Sequence, residues 1–256
     1  MAPFSIKPDE KFPPLSKASV TEAVIELRTR AILAWEEERL DAGLRERLPD
    51  YPQRQLKRLQ EGTFQFGSSP EARINDFDSF IVATSEDGRQ IVQFHRDRFV
   101  FNRLAPYEDW DAFQAEGLRL WRIHRELGAP DEILRVGVRF IIQLPILAGA
   151  DFEDFFHAAP KTPAALEQLP LSGFLHRETL VVPGYPYGIN IIRTVQPGED
   201  QRPGQLILDI DVFTTVPLPP DEDPVKERLR EMRWLKNKVF FGSVSDKIIK
   251  SLQGEM

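Results

Sequence analysis

The chain is expected to fold as an α+β protein built from a duplicated strand–helix–three-strand–helix unit, its antiparallel sheets each covered by a long helix. Three observations predict this. Several segments alternate apolar and polar residues with the period of a strand. Two stretches, from Trp110 to Leu127 and from Asp223 to Val239, carry apolar stripes at helical spacing instead. The order of these segments also occurs twice, over residues 20–127 and 133–242.

Residues 1–19 read as an extended arm, because Pro3, Pro8, Pro13 and Pro14 each oppose helix in their neighbourhood. Val20 to Arg30 alternates Val24, Glu26 and Arg28 with Ala23, Ile25 and Leu27, a strand pattern. A helix follows from Trp35 to Leu48 and stops at Pro49 and Pro52, while Gln53 to Gly62 fits neither period cleanly. Three strands come next: Phe77–Thr84, Gln90–His95 and Arg98–Leu104, the first two joined through Glu86-Asp87-Gly88. The helix from Trp110 begins after Tyr107-Glu108-Asp109, which places acids at its positive end, and closes at Gly128 and Pro130.

The second copy opens with a nearly continuous apolar strand, Ile133–Leu144, of the kind found at a sheet centre. A short helix is predicted over Asp151–His157 and a loop over Ala158–Pro170. Strands follow at Phe174–Val182, Gly188–Gln196 and Gln205–Thr214, with turns at Pro183-Gly184-Tyr185-Pro186 and Pro197-Gly198-Glu199-Asp200. The helix after Asp223 carries Val225, Leu229, Met232, Leu235 and Val239 as its stripe, and Ser245 can cap a last short helix. The whole reads as one pseudo-duplicated domain. A continuous curved sheet would satisfy the same order; it resembles the saddle of the TATA-binding-protein class in shape alone, which carries no function.

Composition narrows the function. Thirty-three Lys and Arg against 40 Asp and Glu give a net charge of −7, which argues against a bulk nucleic-acid coat or an anionic-membrane binder. With no cysteine, thiolate nucleophiles, Cys-ligated zinc and iron–sulfur clusters are excluded. His95, His124 and His157 lack metal-ligand spacing, the H-x-E of His176-Arg177-Glu178 has no P-C-x-x-C partner without cysteine, and His124 on its helix stripe reads as a core residue. No cofactor is expected, since no P-loop, G-x-G-x-x-G or G-x-S-x-G occurs. The proline-rich opening holds no signal-peptide core, and Phe140–Ala150 is too short and interrupted to span a bilayer, so a cytoplasmic location is expected.

Asp209 and Asp211 are the sharpest catalytic candidates, because alternation along Leu206–Phe213 puts both carboxylates on one sheet face. They could share a hard cation or a ligand there, or pair with strand arginines, of which Arg28, Arg139 and Arg193 are the candidate binding residues and Arg177 a further one. The basic run from Lys226 to Lys238 reads as the solvent side of an amphipathic helix.

Several of these segments together resemble a family of sporadically distributed, uncharacterised bacterial proteins of about this length. The likeness lies in Pro13-Pro14 followed by Glu22-Ala23-Val24-Ile25-Glu26-Leu27-Arg28, in Val136-Gly137-Val138-Arg139-Phe140, in Leu208-Asp209-Ile210-Asp211, and in Phe240 to Lys247. Val136, Phe140 and Ile142 stand where that family often has Leu, Tyr and Asn, which weakens any shared polar site on that strand; Ser245 replaces a Thr. The resemblance implies a bacterial protein without an established activity, in an accessory or defence-related setting. The function expected is therefore a non-catalytic protein-interaction module, binding a protein partner or itself. Two alternatives stand beside it: a metal- or ligand-dependent enzyme at Asp209 and Asp211 with Arg139, and a nucleic-acid binder using the sheet or the basic helix.

Overall fold

A computed structural model describes residues 3–15, 20–31, 36–59, 62–65, 71–74, 78–145, 152–158, 163–166, 168–169, 173–196 and 205–254. The predicted turn at 197–200 lies outside the described residues. The elements run β1 (Val20–Arg30), α1 (Glu37–Arg47), β2 (Gln53–Leu59), β3 (Gly62–Gln65), β4 (Glu71–Ile74), β5 (Asp78–Thr84), β6 (Gln90–Phe94) and β7 (Arg98–Leu104). There follow α2 (Trp110–Gly128), β8 (Glu132–Pro145), β9 (Leu175–Val181), β10 (Gly188–Gln196), β11 (Gln205–Thr214), α3 (Glu222–Ser243) and α4 (Asp246–Gln253).

Nine strands form one antiparallel sheet in the order β2-β5-β6-β7-β1-β8-β11-β10-β9, and β3 pairs with β4 apart from it. This corrects the expectation of separate sheets. β1 and β8 pair directly, with Ile25 opposite Val138 and Glu26 opposite Gly137, so the strands gathered around each become one surface. The ambiguous segment after Pro52 is an edge strand, β2, paired with β5. The short helix predicted near Asp151 is only a single 3-10 turn at Phe152–Asp154.

Alternation decides what each strand buries. Ala23, Ile25 and Leu27 of β1, Phe99 and Phe101 of β7, Val136, Val138 and Phe140 of β8, and Leu208, Ile210 and Val212 of β11 turn to one side and form the core with the helices. Helix α2 is capped by Asp109, whose side chain accepts from the Ala112 backbone N–H at 2.8 Å. It lays Trp110, Phe113, Leu120, Trp121 and His124 on the sheet. Gly117 lets it come close: a Cβ there would lie 2.7 Å from Ile25 Cδ1. α4 is capped by Ser245 as predicted, the hydroxyl accepting from Ile248 N–H.

The N-terminal arm lies across α3 of its own chain. Phe4 meets the Trp234 ring edge-on at 5.8 Å and Phe12 stacks on Phe241 at 5.2 Å. Glu10 accepts from Trp234 Nε1 at 2.8 Å, and Asp9 pairs with Arg230. The basic run of α3 is thus not simply a solvated face. Arg230 and Lys238 meet the arm, Arg233 meets Asp111, and Arg228 contacts the Tyr187 hydroxyl and Glu231. No helix among the described residues is long and apolar enough to cross a membrane.

Candidate functional site on the sheet face opposite the helices

The helices cover one side of the sheet, so the opposite side chains of the same strands define the other face. At its centre β1 contributes Glu22, Val24, Glu26 and Arg28, β8 contributes Arg135, Gly137 and Arg139, and β11 contributes Asp209 and Asp211. These are the residues out of phase with the buried Ile25, Val138 and Ile210. The face is a trough: one cavity of about 380 Å³ is lined by Glu22, Glu26, Arg28, Arg135, Arg139 and Asp211. A second, of about 410 Å³, continues it past Glu22 and Asn102 to Gln53, Gln55, Lys57 and Gln93.

Two charge chains run through the trough. Arg139 forks onto Asp209, its Nε donating to Oδ1 at 2.8 Å, and Asp209 is only 7% exposed. The Asp209 carboxylate in turn raises the pKa of the Arg139 guanidinium. Separately, Arg28 Nε donates to Glu26 at 3.0 Å; Glu26 also accepts from Arg135, which reaches Asp211 at 3.2 Å. Asn190 Nδ2 donates to Asp211 at 3.2 Å. Gly137 makes the crossing feasible. A Cβ there would lie 2.4 Å from Arg135 Nη1, so the missing side chain leaves the guanidinium room beside Glu26. The same guanidinium sits 5.3 Å from the centre of the Phe213 ring.

The structure therefore brings together Asp209, Asp211, Arg28 and Arg139. Arg177, opposite Ile192 of β10, lies on the same face near its rim. Arg193 is a correction. It pairs in register with Leu208, so it points to the helix side, where it donates to the Ala158 carbonyl at 2.9 Å and pairs with Glu178. Period-two alternation within one strand does not give its phase relative to the next strand. Arg135, Glu22, Asn102 and Asn190 were missed, although the i, i+2 spacing of Arg135, Gly137 and Arg139 carried the signal for the first.

Both aspartates are engaged by guanidinium groups, and among the described residues no group of three His, Asp or Glu side chains could hold a metal. What the trough offers is donors. Among the described residues, the terminal nitrogens of Arg28 and Nη1 of Arg139 make no hydrogen bond, although a carboxylate fixes each side chain. Among the described side chains, cations prevail on this face. Arg28, Arg98, Arg135, Arg139, Arg177 and Lys57 stand against Glu22, Glu26, Asp209 and Asp211, while Arg30 and Glu132 neutralise one another at 2.9 Å.

No family model and no curated protein matches the chain. One solved structure, "Structure of S. pombe Pct1 RNA triphosphatase in complex with the Spt5 CTD", covers 95% of this chain and 88% of that chain at 9% identity. Its TM-score is 0.13, too low to carry an argument.

Proposed function

We propose that this protein is a non-catalytic binding module whose working surface is the trough, and that its ligand is a small polyanion bearing phosphate or carboxylate groups. One observation carries the reading: Arg28 and Arg139 are held by carboxylates on one side and keep unused donors on the other. A guanidinium positioned in this way binds an oxyanion without first losing its own freedom. An excess of cations on this face of a chain with net charge −7 concentrates anions there.

The duplicated unit makes sense of the site's position. Outward from the β1–β8 seam, β7, β6 and β5 lie on one side and β11, β10 and β9 on the other, and α2 and α3 follow the two sets in sequence. Arg28 faces Arg135 and Arg139 faces Val24, one pairing when the two strands are exchanged. Arg28 and Arg139 are then equivalent residues of two copies, lining one trough on either side of the local twofold of a saddle-like surface. The test is calorimetric titration at low ionic strength with inorganic pyrophosphate and, separately, citrate. Binding that weakens about tenfold or more in Arg28→Glu supports the reading, since a charge-assisted hydrogen bond contributes roughly 1.5–3 kcal/mol. No heat with either probe, or identical binding by the variant, rejects it.

A second reading rests on the sheet's edges. β2 shows Arg54, Lys57 and Arg58, a charged edge that resists strand addition. The opposite edge, β9, leaves Leu175 74% and Val181 79% exposed beside Leu180. In this reading a second copy adds to β9 by strand pairing. Light scattering should then show a concentration-dependent dimer that Val181→Lys abolishes. A strict monomer at high micromolar concentration would dismiss the idea.

A further inference from the structure

A separate cavity of about 700 Å³ lies between the arm and α3, roofed by Pro8 to Leu15 and walled by Tyr107, Trp234, Phe240 and Phe241. Lys236 lines it, its ammonium 4.3 Å from the centre of the Phe140 ring. Every carboxylate lining the same cavity has another partner. Asp9 is paired with Arg230, Glu10 with Trp234 Nε1 and Lys238, and Glu108 with Arg103 at 2.9 Å; Asp109 caps α2. Among the described residues Lys236 therefore has an aromatic face and no anion. Arg233, one turn earlier and also lining the cavity, adds like charge; the other charged or titratable lining groups are Lys11 and Tyr107.

We propose that Lys236 is a carbonyl-capture site, an amine under the N-terminal strap that forms a reversible imine with an apolar aldehyde. The Nζ lone pair attacks the carbonyl carbon to give a carbinolamine. Loss of water then leaves a C=N bond, the carbonyl oxygen departing with the two protons that the amine gives up. Step by step the chemistry needs no oxidant and no cofactor; it needs a neutral amine and an apolar chamber for the aldehyde's body, which Phe12, Leu15, Ile142 and Phe241 furnish. Burial, with a smaller contribution from Arg233, lowers the Lys236 pKa to about 7, so the neutral form is abundant under ordinary conditions.

The experiment is reductive trapping of the full chain with benzaldehyde and sodium cyanoborohydride, read by peptide mass mapping across pH. The N-terminal amine, which titrates near ~8 in any chain, is counted separately. Lys236 is expected to take the benzyl group about tenfold or more faster than exposed Lys57 or Lys226 at pH ~7.5, with half-maximal rate near pH ~7. Lys236→Met, checked for fold by circular dichroism, should lose that label alone. A label spread over exposed lysines with Lys236 spared overturns the proposal. So does a Lys236 rate that rises only toward the ordinary lysine range, and this profile needs no variant to fold.

Discussion

Phe140→Ala should destabilise this protein by about 3–5 kcal/mol, the range for truncating a fully buried Phe. Phe140 sits at the middle of β8, opposite Ala23 on one side and Ile210 on the other, with no exposure to solvent. Tyr107 and Phe113 meet its ring edge-on at 5.4 and 5.9 Å, and Trp110 lies across it at 6.4 Å. Two rings of α2 and the Tyr107 ring that leads into it therefore lose a common partner at once, and neighbours held by β1, β11 and α2 cannot all close the space. Urea denaturation measures the loss, and a value below about 1 kcal/mol would mean that the aromatic cluster relaxes freely. Phe140→Leu keeps apolar volume but removes the ring face beneath Lys236. It should cost less, and it should lower the pH midpoint of Lys236 labelling, because the cation loses an attractive neighbour.

Local pattern made most of this architecture legible. The stripe of α2, the β5–β6 turn at Glu86-Asp87-Gly88 and the alternation of β11 are all written within single segments, and the structure follows them closely. The fusion of the expected sheets into one was not legible in that way, because the β1–β8 pairing joins residues more than a hundred positions apart and either arrangement buries the same stripes. Arg193 failed for a related reason: its own strand alternates faithfully, but the phase between β10 and β11 is a matter of register. In the trough, Asp209 and Asp211 stood out as paired carboxylates. Arg135 did not, since its reach over Gly137 depends on a missing side chain two residues away.

Lys236 was hidden by a different effect. In the run from Lys226 to Lys238 it looks like another solvated cation, yet it lies four residues from both Met232 and Phe240, on the buried side of α3. Helical phase placed it inward, and the arm completed the enclosure. The arm's own role was invisible from sequence because prolines specify an extended chain without specifying what it crosses. Phe4, Glu10 and Phe12 answer that by packing on Trp234 and Phe241.

Acid should weaken this fold through His124, well before most carboxylates are protonated. The imidazole is 1% exposed, stacked on Trp121 at 5.3 Å and Phe94 at 5.9 Å, and its Nε2 has no hydrogen-bond partner among the described residues. Burial, and then the charge of nearby His95, holds its pKa down at about 3 against an ordinary 6.5. The folded state therefore keeps His124 neutral while the unfolded chain takes up a proton below pH 6.5. Stability from this group is complete above pH 6.5 and drains away as pH falls toward 3, at about 1.4 kcal/mol per pH unit. At pH ~4.5 the loss relative to neutrality is on the order of 2–3 kcal/mol. His124→Phe keeps an aromatic ring against Trp121 and Phe94 and removes both the proton and the unpartnered nitrogen. Urea midpoints measured at pH ~7 and ~4.5 should show the variant gaining on the parent by that margin in acid. Parallel losses in the two proteins would instead assign the acid sensitivity to carboxylates in the ion pairs, because His95 is present in both and cancels from the comparison.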